Sequence, residues 1–284
     1  MEHLPPRLRE LPAGLADPIV SFSRYLTYRN RAPKTLRVYC YAAYKLGTYA
    51  AERGVTSWAQ VNRHMIQDFL IGIMENSSAG YANNLYRSLQ QFTKWAAAED
   101  EMPDNPMTGM QAPQVPDKPV PVLRAEQVKA LFKTCEGKGF VQRRDAAILY
   151  LFADSGLRLA ELTHLDVTDL DLDHREVTVY GKNRRPRTVP FGRKAAYALD
   201  RYLSVRARHR WADDDALWLG FTGRGSGRKM TDSGIYQVVR NRGREVGIPD
   251  LHPHMLRHSW AHHYHAAGGN EADMMRLAGW RTRA

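Results

Sequence analysis

A mainly α-helical chain with a small antiparallel β-sheet in its second half, an α+β arrangement in two lobes, is the fold this 284-residue sequence predicts. Three observations lead there. Apolar residues recur at three-to-four spacing through the first hundred residues. A proline-dense, acidic strip follows them. Beyond the strip, helical periodicity is interrupted by two short alternating runs around a basic turn, the pattern of a hairpin.

In the first lobe a short helix is expected over Asp17 to Tyr28. Pro33 suits the first turn of a second helix, along which Leu36, Tyr39, Ala43, Leu46 and Ala50 form the apolar stripe. Ile66, Phe69, Leu70 and Ile73 repeat the spacing, as do Leu85, Leu89, Phe92 and Ala96. These segments make a four-helix domain over residues 1–102. The stretch Glu99 to Leu123 carries six prolines, which forbid a helix and favour extended backbone. The linker is therefore set at residues 103–122 and the second domain at 123–284.

That second domain reads as helix over Ala125 to Cys135 and Arg143 to Asp154, with Gly156 as the stop of the latter. Val177 to Tyr180 and Arg187 to Val189 are the two β-rich runs, and Lys182 falls at the tip between them. Helices resume over Ala195 to Arg208, Thr231 to Val246 and Met255 to Ala267, and Glu271 to Leu277 begins another, just before Trp280.

A hydrophobic content of 43% is enough for two cores. The longest apolar runs, such as Ala146 to Ala153, are too short to cross a bilayer, and Met1 to Glu10 lacks the apolar stretch of a signal peptide. Cys40 and Cys135 are far apart without CxxC spacing, which suits reduced thiols. The expectation is a cytoplasmic protein without a membrane partner. Net charge is +11, distributed as +6 over residues 1–98, −4 over 99–122 and +9 over 123–284. Two basic lobes around an acidic strip suggest a clamp that holds the phosphate backbone of a nucleic acid from both sides.

Two segments carry candidate chemistry. DSGLRLAEL, Asp154 to Leu162, puts Arg158 at a helix start with Glu161 one turn on, and LHPHMLRHSW, Leu251 to Trp260, puts His254 and Arg257 on one helical face. Each alone also fits an ordinary surface ion pair or a neighbouring histidine and arginine. His258 and His262 have the spacing of a helical zinc pair, but HSWAH lacks the glutamate of HExxH, and a metal hydrolase leaves Arg158 and Lys182 unexplained. No metal and no cofactor are expected.

In their order and intervals, Arg158, Glu161 three residues later, Lys182 in a hairpin, His254 with Arg257 as HxxR, and Trp280 within LAGW resemble the tyrosine recombinase, or phage integrase, family. The resemblance starts near Asp17, since the four-helix lobe and proline linker are similar to the family's core-binding domain. It implies a site-specific recombinase whose partner is double-stranded DNA carrying a recombination site, which it cleaves and rejoins through a 3′-phosphotyrosine. Arg158 and Arg257 would bind the scissile phosphate, Lys182 would protonate the leaving 5′-oxygen, His254 and Trp280 would assist, and Glu161 would brace the arginines. It also implies a monomer when free and a homo-oligomer on DNA, a tetramer in the synaptic complex, associated with the nucleoid of a prokaryotic host. In the family the nucleophilic tyrosine follows the Trp280 position by about nine residues, some two and a half helical turns. Only four residues follow it here, so the expected activity of residues 1–284 is DNA binding without cleavage. Tyr264, the nearest tyrosine, is expected to be a core aromatic. The alternatives are a non-catalytic DNA-binding protein of the same fold and a type IB topoisomerase, which LAGW and the compact two-lobe size fit less well.

Overall fold

The computed structural model describes residues 3–117, 119–181, 185–221 and 228–280. They fall into two compact units, Met1–Lys118 and Pro119–Ala284.

The first unit is built on α1 (Ala13–Tyr28), α2 (Pro33–Ala51), α3 (Arg63–Asn76) and α4 (Ala79–Ala98). α1 starts a turn earlier than the pattern suggests. Proline favours a first turn, so Pro18 hides the residues before it. The starts of α3 and α4 are fixed by side-chain caps: Asn62 Oδ1 accepts the Met65 N–H at 3.0 Å, and Ser78 Oγ accepts that of Tyr81 at 3.2 Å. Trp58 is the fully buried centre of the core. Its indole N–H donates to the Leu15 carbonyl at 2.9 Å, and its ring meets Phe92 edge-on with centroids 4.6 Å apart. Met102 and Met107 are buried in the same core, Tyr86 donates its hydroxyl to the Met110 carbonyl, and Asn83 donates to that of Pro113 at 2.8 Å. The front of the proline-rich stretch thus lies on this unit. Extended backbone makes no internal hydrogen bonds, which leaves its carbonyls open to side-chain donors.

The second unit runs α5 (Ala125–Lys133), α6 (Phe140–Ser155), α7 (Leu159–Thr163), β1 (Leu170–Asp171), β2 (Glu176–Tyr180), β3 (Pro186–Pro190), α8 (Arg193–Arg206), α9 (Asp232–Glu245), α10 (Pro253–Ala266) and α11 (Glu271–Ala278). α6 is its spine, buried through Ala147, Ile148, Leu149, Leu151 and Phe152 and packed against α8 and α10. The hairpin expected from the sequence is the β2–β3 pair. β1 extends it to a three-stranded antiparallel sheet of order β1-β2-β3. In this register Val177 faces Val189 and Val179 faces Arg187. Among the described residues no helix is long and apolar enough to cross a membrane.

Candidate active site

The site begins where α6 stops. Gly156 takes the left-handed conformation, φ +59°, and a Cβ there would overlap the ring of Trp260, so both backbone and packing demand glycine. The reversal makes Arg158 the residue that opens α7, with extended backbone (ψ 152°). Glu161, in the first turn, reaches back: Oε2 accepts the Arg158 backbone N–H at 2.9 Å, and Oε1 accepts Arg158 Nη1 at 2.8 Å.

Arg187 of β3 grips the same carboxylate from the other side. Its Nη1 and Nη2 donate to Oε1 and Oε2, both at 2.8 Å. The Glu161 side chain is only 6% exposed. Burial by itself raises its pKa. The hydrogen bonds from Arg187 and Arg158 outweigh that and hold the carboxyl below its ordinary range.

α10 supplies Arg257. The helix is capped by His252, whose Nδ1 accepts the Met255 N–H at 3.1 Å, and Pro253 occupies its first turn. Arg257 is buried; its Nη1 donates to the Gly156 carbonyl at 2.5 Å and its Nη2 to the Ala278 carbonyl at 2.6 Å, while its guanidinium carbon lies 5.2 Å from the Trp280 ring centroid. Burial, and then the like charges of Arg158 and Arg187, push its pKa down to about 10. It is still a cation at neutral pH.

α11 ties these groups together. Gly279 ends it in the left-handed conformation, φ +63°. The last carbonyls of a helix lack intrahelical partners and carry the negative end of its dipole. Here three consecutive ones are each met by a guanidinium: Leu277 by Arg187 Nε at 3.0 Å, Ala278 by Arg257, and Gly279 by Arg158 Nη2.

Of the six residues singled out by sequence, Arg158, Glu161, Arg257 and Trp280 are gathered here. His254 stands exposed on α10 with its Nε2 2.9 Å from Nε2 of His258, whose ring is 6.4 Å from that of Trp280. Burial and then neighbouring charges pull both histidines below their ordinary value, with His258 and His252 acting on His254 and Arg257 acting on both. Lys182 lies outside the described residues. Tyr264 packs against Trp260 with ring centroids 5.6 Å apart. Among the described residues no group of three or more His, Cys, Asp or Glu is placed to hold a metal ion.

Sequence reasoning did not place Arg187 or His258 in this cluster: it took Arg187 only as one of the cations near Lys182, and weighed His258 only with His262 as a zinc pair. Their signals are present: Arg187 is two residues from buried Val189 and so shares its inward face, and His258 is one helical turn from His254.

Comparisons with known proteins give the family and the fold. Residues 121–284 match the phage integrase family and residues 19–100 the phage integrase N-terminal SAM-like domain. The chain belongs to the phage integrase family, the tyrosine recombinases. Among its curated relatives are the tyrosine recombinase XerC of Azotobacter vinelandii, 34% identical over 77% of this chain and 72% of the relative, and that of Actinobacillus pleuropneumoniae, 31% identical over 90% and 82%. The fold is shared with XerH site-specific recombinase bound to difH substrate in a pre-cleavage complex (TM-score 0.71, 16% identity, covering 97% of this chain and 87% of that one). It is shared too with a lambda integrase dimer bound to a COC′ core site (TM-score 0.72, 16% identity, covering 94% and 95%).

Proposed function

We propose that residues 1–284 bind a recombination site in duplex DNA and hold its scissile phosphate between Arg158 and Arg257, with the nucleophilic tyrosine supplied from outside these residues. The observation that carries this reading is the convergence of Arg158 and Arg257 on the carbonyls at the end of α11, braced by one buried carboxylate. Arg158 is the more open of the two, its side chain 42% exposed. Two permanently charged planar donors at such a place are suited to the non-bridging oxygens of a pentacoordinate phosphorane, where negative charge accumulates.

The remaining roles follow the family's chemistry. A tyrosine attacks phosphorus and the P–O5′ bond breaks, leaving a 3′-phosphotyrosine and a free 5′-hydroxyl; reversal of the step on another strand rejoins the DNA without an energy-rich cofactor. Lys182, close in sequence to Arg184, Arg185 and Arg187, is the general acid that protonates the departing 5′-oxygen. Trp280 and His254 complete the phosphate contact. Among the described residues no tyrosine hydroxyl bonds to Arg158, Arg257 or His254, and Tyr264 is engaged with Trp260, which supports a nucleophile from elsewhere. The exposed basic residues of the first unit, among them Arg24, Arg31, Lys34, Arg37 and Arg87, are suited to duplex phosphates. DNA of the kind named for the XerH and lambda integrase complexes is the partner, with a monomer free in solution and a tetramer on paired sites.

Incubation with a nicked suicide substrate, followed by denaturing electrophoresis, tests the reading. Residues 1–284 should shift the DNA in a native gel, with affinity falling by several decades between roughly 50 and 200 mM salt, yet yield no covalent adduct. An adduct from this polypeptide, mapped to Tyr264 or any other residue in it, would overturn the assignment.

A further inference from the structure

Arg158 and Arg187 share the Glu161 carboxylate, but their remaining donors are used differently. All three guanidinium nitrogens of Arg187 are engaged within the protein: Nη1 and Nη2 on the two Glu161 oxygens, and Nε on the Leu277 carbonyl. Its side chain is 18% exposed, against 42% for Arg158. Arg158 bonds through Nη1 and Nη2 only among the described residues, and its more open guanidinium is the one able to turn toward a ligand. Arg187 thus has the wiring of a brace. It joins three elements at once, β3 through its own backbone, α7 through Glu161 and the end of α11 through Leu277.

We infer that Arg187 is a positioning residue for the phosphate-binding pair, fixing Glu161 and the last turn of α11 so that Arg158 and Arg257 are presented in one geometry. The inference rests on the proposed role of that pair. Two features make a guanidinium necessary here. A planar fork meets both carboxylate oxygens while its Nε points along the same plane to a third acceptor, which an ammonium cannot do. The inward face of β3 also fixes where it starts, because Arg187 lies opposite Val179 and two residues from buried Val189. Without Arg187, Glu161 keeps only Arg158, whose side chain is then free to follow the carboxylate. The Leu277 carbonyl also loses its partner, which loosens the turn that carries the acceptors of Arg257 and Arg158. The charged groups facing Glu161 are Arg158 from the start of α7, Arg187 from β3 and, at longer range, Arg257 from α10.

The test uses residues 1–284 and the variants Arg187→Met and Arg187→Lys. The first readout is the ratio of dissociation constants for two duplexes carrying the selected site, one normal and one with a methylphosphonate at the scissile position. In the parent the neutral phosphonate should bind about tenfold more weakly, the worth of a hydrogen bond to a charged group. Arg187→Met should bind the normal site within about threefold of the parent yet shrink the phosphonate gap to threefold or less, with Arg187→Lys between them. A merely structural role changes both affinities alike and leaves the gap. The second readout is the Glu161 carboxyl carbon, followed by NMR through a pH titration, whose midpoint should rise by about one unit or more in Arg187→Met. An undiminished gap in a folded Arg187→Met, or an unmoved Glu161 midpoint, overturns the inference. A parent with no gap at all overturns the phosphate-holding roles of Arg158 and Arg257 instead. The Glu161 titration then decides separately whether Arg187 holds that carboxylate. Should Arg187→Met fail to fold, the Arg187→Lys gap decides, and a gap equal to the parent's is the refuting result.

Discussion

Replacing Gly279 by alanine probes the arginine cluster through the backbone that holds it. Two effects add. The first is conformational: at φ +63° an L-residue costs about 1 kcal/mol more than glycine. The second is steric. The new methyl would stand 3.0 Å from Arg158 Nη1 and 3.1 Å from both Cζ and Nη1 of Arg187, closer than carbon normally approaches these groups. Side-chain ends usually yield cheaply, but these two are tied to Glu161 and to the carbonyls of Leu277 and Gly279, so moving them stretches several charge-assisted bonds. Losing even one of these adds about 1.5 kcal/mol. The sum is about 2–3 kcal/mol. Gly247 supplies the control, since it has φ +75° and nothing within 4 Å of its would-be Cβ. Gly247→Ala should cost only the conformational part, about 1 kcal/mol. Urea denaturation followed by circular dichroism, with equal slopes for the two variants, measures both. Equal losses would mean that the guanidiniums are not seated against the end of α11, and the account of the cluster would fail.

Other perturbations follow from the same structure. Asp145 is buried and fully occupied, Oδ1 by Arg144 at 2.9 Å and Oδ2 by Arg242 at 2.8 Å; Asp145→Asn turns an amide toward one of these donors and should cost about 3 kcal/mol in denaturant unfolding. His254 and His258 have folded pKa values below 6.5, so below that pH the unfolded chain binds more protons and stability falls as pH is lowered. The urea midpoint should therefore drop from pH 7 to 5.5, and His258→Asn should flatten the drop; the exposed His174–Asp171 pair acts in the opposite sense and is screened. If Lys182 is the general acid, Lys182→Ala in a chain shown to cleave DNA should cut a substrate with a 5′-bridging sulfur much faster than the ordinary ester, because a thiolate leaves without a proton. Equal rates on the two substrates would remove Lys182 from that role.

Much of the fold was legible because each long helix announces itself over several turns. Leu36 to Ala50 and Leu85 to Ala96 carry enough apolar repeats to identify α2 and α4 without tertiary information. Short elements offer no such redundancy. β1 is two residues long and exists by pairing with β2, so no alternation within it could reveal it. α7 spans five residues and is set by the left-handed turn at Gly156 and the return bond of Glu161, features of one junction rather than of a period. The stretch after α4 was misleading for another reason. Its prolines correctly exclude helix, but Met107, inside the expected linker, is an apolar anchor, and only the packed structure puts it in the first unit's core beside Met102.

The candidate site divides along the same line. Arg158 with Glu161 and His254 with Arg257 are each one helical turn apart, so a sequence pattern can carry them. Arg187 belongs to the site through contacts 26 residues away at Glu161 and 90 residues away at Leu277, which no local spacing encodes. Its acceptor at Leu277, like those of Arg257 at Ala278 and Arg158 at Gly279, is a backbone carbonyl, an atom every residue possesses and that residue type does not mark. Much of the cluster's electrostatic complement is the C-terminal end of α11 and has no letter in the sequence; it exists because a glycine at position 279 ends the helix with its carbonyls turned to three cations. The residue types therefore mark the groups proposed to do chemistry at this site, while the geometry in which they are held depends on where a helix stops.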